Sequence, residues 1–239
     1  MAVPARATRC CAEERRRQIL ETATQLFASQ GFGGTTTRQI AEVARVNEAL
    51  IFRHFPTKDE LYWAVLEHKC EEGRGRKIIA EHLARNASPR ETLAGIASAF
   101  FESRQQDATL GRLLLFSALE RHTLSRRFFR THIADLYDSL AQYIRERIAA
   151  GEFREMDPLL AARSFWGMVI YHFQVQELFG GKEYQEIEID RASRVIADVW
   201  LEGMLPRNRS NGEGRGRRAH PPAGGAAKSR GKKGKKKNE

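Results

Sequence analysis

Cysteine is scarce in this chain, and the few present form no framework. Cys10, Cys11 and Cys70 are odd in number, two are adjacent, and no CxxC pair occurs. That excludes a disulfide scaffold, and with no histidine beside Cys10–Cys11 it disfavours a zinc site. They read as inert thiols, with redox sensing at Cys10 or Cys11 as the alternative. Long apolar runs are missing too: none approaches the roughly 18 residues of a membrane span, and the N-terminal stretch lacks a signal-peptide core. A cytoplasmic location with no membrane partner is therefore expected. GxSxG, HExxH, Walker A and Rossmann glycine patterns are all absent, and the seven histidines show no metal-ligand spacing. No catalytic residue, metal or cofactor is expected, and an enzyme is disfavoured. Neither strand-like alternation with hairpin turns nor an internal repeat occurs.

The formal charge of +10 is unevenly placed. Residues 206–239 hold 12 Lys and Arg against Glu213 and Glu239, leaving 28 basic and 28 acidic side chains in residues 1–205. The body is neutral, and the whole excess sits in a tail rich in Gly, Lys and Arg. Such a segment buries too little to offset its ordering entropy and is predicted to be disordered, as is the N-terminus over 1–11.

The body reads as helix throughout. Ile19, Ala23, Leu26 and Phe27 share one face of a helix over 12–30, which Gly31, Gly33 and Gly34 terminate. Two short helices over 37–44 and 47–54 follow. Thr57 and Glu60 form a capping-box signature for a longer helix running to about 85. Further helices are predicted near 89–105, 109–122, 124–150, 157–180 and 189–205, with Asp157-Pro158 a strong start signal. The expected fold is all-α, with about nine helices.

The stretch Thr35–Tyr62, TTTRQIAEVARVNEALIFRHFPTKDELY, carries the functional signal. Ile40, Val43, Val46 and Ile51 supply apolar positions to wedge two helices against the first, and Ala41 permits close approach. Asn47 is a favourable N-cap for the second short helix, as Thr36 or Thr37 is for the first. That second helix would present Glu48, Ala49, Leu50, Phe52, Arg53 and His54, with Ile51 and Phe55 facing inward. Short residues at its start and aromatic or basic groups beyond suit a DNA major groove.

The pattern Thr37-Arg38-Gln39-Ile40-Ala41-Glu42-Val43-Ala44, then Val46, Ile51, Phe52, Arg53-His54-Phe55 and Lys58-Asp59-Glu60-Leu61-Tyr62, resembles the N-terminal domain of the TetR family of bacterial transcriptional regulators. The likeness covers about residues 14–65, reaching back to the Ile19–Phe32 pattern. It departs from the family where Arg45 stands for the usual turn glycine, at Ala49, which is often glycine, and at Phe52, which replaces a tyrosine. A left-handed Arg45 would cost roughly 1 kcal/mol relative to glycine.

The resemblance implies a helix-turn-helix DNA-binding domain over 12–72, a ligand-binding and dimerisation domain over 73–205, and no cofactor. Thr37, Arg38 and Lys58 would hold phosphates. Glu48, Ala49, Leu50, Arg53 and His54 would face bases, with Arg53 suited to a bidentate guanine contact. Surface placement alone is the competing reading for Arg53 and Glu48, and packing beside Phe55 is that for His54.

A homodimer on a palindromic double-stranded operator is expected. Its interface would use Phe165, Trp166, Val169, Ile170 and Phe173 on one helix and Ala192, Val195, Ile196, Val199 and Trp200 on the last, unless those faces pack within the monomer. A small apolar or amphipathic effector would enter a cavity lined by Phe100, Phe101, Phe116, Leu119, Trp166, Met168, Tyr171 and Phe173. Arg104, His122, His172 or Gln176 would be polar anchors, and ordinary core packing competes for each aromatic. A ligand-responsive repressor follows, its sensor joined to its reading head by one continuous helix over about 58–85. Activation within the same family and nonspecific DNA binding driven by the tail remain the alternatives.

Overall fold

Side-chain caps start the helices where the sequence signals them. Thr36 and Gln39 form a reciprocal capping box, and Asn47 Oδ1 accepts from the Ala49 amide at 2.8 Å. Thr57 Oγ1 accepts from the Glu60 amide, Ser88 and Glu91 cap each other, and Asp157 accepts from Leu159 and Leu160. Each such cap contributes about 1 kcal/mol by satisfying amides that have no intrahelical acceptor.

The computed structural model describes residues 5–72, 75–85, 87–105, 107–120 and 123–205. Its order is α1 (Ala5–Gly34), α2 (Thr37–Ala44), α3 (Glu48–His54), α4 (Lys58–Glu72), α5 (Gly75–Ala84), α6 (Pro89–Gln105), α7 (Thr109–Leu119), α8 (Thr123–Phe128), α9 (Ala134–Ala149), α10 (Pro158–Phe173), α11 (Gly181–Tyr184) and α12 (Ile189–Met204). π-helical turns at Phe129–Ile133 and Gln174–Leu178 continue α8 into α9 and extend α10. Among the described residues there is no strand, so the all-α expectation holds. The predicted disordered tail lies outside the described residues.

Helix boundaries depart from expectation at two consequential places. α1 begins at Ala5 rather than near 12, because its Ala-, Arg- and Glu-rich start favours helix without needing a packed face. The backbone then leaves the helix at Gly31 (φ 75°), as the glycine signal requires. Most consequentially, the helix predicted over 58–85 is two helices, α4 and α5.

The described residues form one compact unit around two apolar clusters. The first joins Ile19, Ala23 and Phe27 of α1 to Ile40, Ile51, Leu61 and Tyr62, and is closed by Leu110 and Leu113 of α7 and Phe128 of α8. Phe27 meets Tyr62 edge-on at 4.9 Å, and the Tyr62 hydroxyl donates to the Leu113 carbonyl at 2.8 Å. The second gathers Ile79 of α5 with Leu93, Ile96, Leu140, Ile144, Phe165, Trp166 and Trp200. α4 therefore belongs to one core and α5 to the other.

Candidate DNA-reading interface and effector cavity

Ile40, Ala41 and Ala44 bury one side of α2, and the Gln18 amide group donates to the Ala44 carbonyl at 2.9 Å, pinning its end to α1. Val43, expected in the wedge, is 58% exposed, because that buried arc leaves it at the edge of the short helix. Arg45 turns the chain in the left-handed region (φ 52°, ψ 46°), its amide donating to Ala41 and Glu42. α3 emerges from this turn with Ile51 and the following Phe55 buried at 1% and 3%.

The exposed side of α3 carries Ala49, Phe52 and Arg53, with Asn47 exposed at its cap. Leu50 departs from expectation: it is half-buried and packs on the first core, so it is not simply an outward group. Thr37 and Glu48, both expected at DNA, first engage each other. The Thr37 hydroxyl donates to Glu48 Oε1 at 2.6 Å, tying the start of α2 to the start of α3. No sequence signal marked this contact, since the residues sit in different helices. Arg38 pairs with Glu42 at 3.0 Å, but both are well exposed, so that pair is readily exchanged for a phosphate.

His54 is half-buried, with its Nε2 enclosed and unbonded. Burial, then Arg53 and Arg16, push its pKa below the ordinary imidazole value. Lys58 holds its ammonium 4.1 Å above the Phe32 ring. Burial lowers its pKa, opposed by the charges of Glu120 and Asp59. His54 ends α3, and Lys58 opens α4.

A cavity of about 390 Å³ lies where the two cores adjoin. α4 supplies Cys70 and Glu71, α6 supplies Phe100, Ser103 and Arg104, and α7 supplies Leu110 and Leu114. Phe128, His132, Ile133 and Leu136 complete the wall with Lys77 and Ile79 of α5. Its size and mainly apolar lining suit a small ligand.

Of the expected effector residues, Phe100 and Arg104 line this cavity. Trp166 is fully buried behind Phe100, 5.7 Å between rings, and is core. Phe173 is also buried and stands 5.8 Å from Phe100, bordering a separate pocket of about 310 Å³ with Phe101, His172 and Gln176. Phe116 packs toward Gly31 instead. Leu119 and Tyr171 are corrections: 79% and 64% exposed, they line neither of these two pockets. His122 lies outside the described residues. Aromatic content alone could not separate wall from core, and the α4, α8 and α9 contributors were missed because they become neighbours only in the fold.

The expected interface faces are likewise revised. Phe165, Trp166, Val169, Phe173, Ala192 and Trp200 are all buried within the monomer. Of the expected residues, Val195 and Val199 on α12 do stand exposed, while on α10 the exposed large groups are Leu160 and Tyr171 instead. A β-carbon at Gly167 or Gly203 would meet nothing within 4 Å, so small residues punctuate the same open surfaces. Among the described residues, no helix is long and apolar enough to cross a membrane, and no cluster of three His, Cys, Asp or Glu could hold a metal.

Residues 19–65 match the family "Bacterial regulatory proteins, tetR family". Residues 91–202 match the "AefR-like transcriptional repressor, C-terminal domain". The HTH-type transcriptional regulator LuxR of Vibrio harveyi is 32% identical over 100 residues, 42% of this chain and 48% of that protein. The chain therefore spans about half the length of that relative. RutR of Escherichia coli strain K12 is 25% identical over 203 residues, covering 81% of this chain and 92% of RutR. A similar fold is found in AibR, solved with isovaleryl coenzyme A and operator DNA, at a TM-score of 0.58 and 23% identity over 80% of this chain and 98% of AibR. The helix-turn-helix matched by the first family lies on one core, and the second match takes in most helices of the other core together with α7 and α8, which close the first. From both parts, the chain belongs to the TetR family.

Proposed function

We propose that the chain is a DNA-binding transcriptional regulator that represses from a palindromic operator as a homodimer and is released by a small apolar or amphipathic effector. The carrying observation is the α2–α3 pair, fixed by the Arg45 turn and the Thr37–Glu48 bond so that Asn47, Ala49, Phe52 and Arg53 stand exposed on one surface. Such a helix end reads base edges while helix starts and basic side chains hold phosphates. Arg38 and Lys58 are the phosphate contacts, His54 a flanking one, and Arg53 the base-reading group. The regulators to which the chain is similar support a binding role and not catalysis. AibR, which binds an acyl thioester and operator DNA, supports a ligand-responsive one.

The dimer would form through the outward sides of α10 and α12, around Leu160, Gly167, Tyr171, Val195 and Val199, as a four-helix bundle. Coupling would run through α7, not through a continuous α4–α5 helix. Leu110 and Leu114 line the cavity, Leu113 accepts from Tyr62, and Glu120 after its last turn accepts from the Phe32 and Gly33 amides. A ligand that shifts α7 acts directly on the segment entering α2.

Footprinting on the DNA upstream of the chain's own gene tests the reading. Protection of a discrete palindrome supports it. Uniform coverage would favour nonspecific binding by the basic tail, a rival that the placement of the +10 charge keeps open. Deleting 207–239 then separates the two: bulk affinity and salt slope fall while the footprint remains.

A further inference from the structure

Arg104 is a charged group in an apolar wall with nothing to neutralise it. Its guanidinium lies 4.6 Å from the centroid of Phe100, one turn earlier on α6. Its Nε is buried without a hydrogen bond, and among the described residues no carboxylate pairs with it. Burial depresses its pKa, with only Cys70 opposing. Arg104 as a whole is half-buried; a partly buried cation without a partner is still costly, and arginine cannot relieve the cost by losing its proton. The Phe100 face offsets part of it through the ring quadrupole, but a ring cannot accept the in-plane N–H groups. The other ionisable cavity residues are Lys77 and Glu71, both exposed at the rim, and Cys70 and His132, half-buried in the wall.

We propose that this cavity takes an amphipathic anion whose acidic head group, a carboxylate or phosphate ester, is clamped by Arg104 while its apolar body lies against Phe100, Leu110, Leu114 and Phe128. The planar fork of the guanidinium matches both head groups bidentately. The inference rests on reading the cavity as the effector site. Its α7 contacts place the apolar body against the helix that reaches the α1–α2 junction.

Trp63 and Trp166 report binding without DNA: Trp63 lies 5.9 Å from His132 and Trp166 lies 5.7 Å from Phe100, both cavity residues. Tryptophan emission of the full chain would be titrated with decanoate, decyl phosphate, decanol and decyltrimethylammonium. Saturable binding of at least one anion is expected, at least about tenfold tighter than decanol, as one charge-assisted hydrogen bond would give. The better anion identifies the head group. Arg104→Met should erase that preference and melt no lower than the parent, whereas Arg104→Lys should retain part of it. Three results overturn the proposal: decanol or the cation binding as tightly as both anions, Arg104→Met keeping the anion preference, or no binding of either anion. Because the assay contains no DNA, its failure leaves operator recognition to the separate footprint.

Discussion

Gly31 and Glu120 share one small volume. A β-carbon on Gly31 would lie 2.5 Å from Glu120 Oε1, and the glycine's φ of 75° would itself strain any other residue. In that space the Glu120 carboxylate accepts from the Phe32 and Gly33 amides, each at 3.1 Å. The contact joins the C-terminal end of α7 to the loop entering α2, so the cavity-lining helix and the DNA-reading unit meet at one carboxylate.

Glu120→Ala should destabilise the protein by about 1–3 kcal/mol, the range for hydrogen bonds to a charged acceptor. Amide hydrogen exchange should quicken at Phe32 and Gly33. Gly31→Ala should cost more, because it adds backbone strain to displacement of the carboxylate. If α7 is the coupling route, Glu120→Ala also weakens the effect of ligand on operator affinity. Unchanged ligand response in that variant would reject the route.

Arg45 occupies a left-handed conformation suited to glycine. Arg45→Gly should raise unfolding free energy by about 1 kcal/mol, read as a higher denaturant midpoint at constant slope. A loss of stability would mean that the Arg45 side chain contributes packing beyond its backbone role.

Arg53 and Lys58 should fail differently on DNA. Arg53→Ala should cost about 1–3 kcal/mol and relax preference at one base position. Lys58→Ala should weaken all sequences alike and reduce the salt slope by about 1. For Thr37→Val and Glu48→Gln, a double-mutant cycle on folding should return a coupling of about 1 kcal/mol. Additive effects would show that the contact does not hold α2 to α3.

His54, His82 and His172 all have pKa values lowered from 6.5, chiefly by burial, with nearby arginines also lowering the first two. The unfolded chain then binds more protons than the folded one below the ordinary imidazole value. Stability should be full above about pH 7 and decline as pH falls through 6.5 toward the depressed folded values. Denaturant melts across pH 5–8 read this directly, and His82→Gln should flatten the curve. A midpoint rising toward pH 5 would contradict the assigned shifts.

The two sides of the last helices should separate assembly from folding. Tyr171→Asp and Val199→Asp lie on open surface; they should yield folded monomers with weakened operator binding, seen by sedimentation and retardation assays. Trp200→Ala removes a buried ring whose Nε1 donates to the Ala161 carbonyl. It should cost about 3–5 kcal/mol of stability instead. A dimeric Val199→Asp variant would move the interface elsewhere.

Local chemistry made the DNA-reading unit legible. The Thr36, Asn47 and Thr57 caps, the Gly31 stop and the inward Ile51 and Phe55 depend on neighbours within a few residues, and each is where the pattern puts it. Orientation within short or doubly apolar helices was less legible. Val43 and Leu50 exchange their expected exposures because tertiary packing selects which arc of each short helix is buried. On α10 both sides carry large apolar groups, and periodicity cannot say that Phe165 and Trp166 face the monomer core while Leu160 and Tyr171 face outward.

The chain's sequence by itself determined the all-helical class, the reading unit between Thr35 and Tyr62, and the neutral body with its basic tail, since capping, periodicity and charge are properties of adjacent residues. Only the tertiary structure divided α4 from α5 between two cores, brought Glu120 to Phe32 and Gly33, and left Arg104 unpaired beside Phe100. Those outcomes depend on which surfaces meet across long separations, and burial then decides whether a charge finds water, a partner or neither.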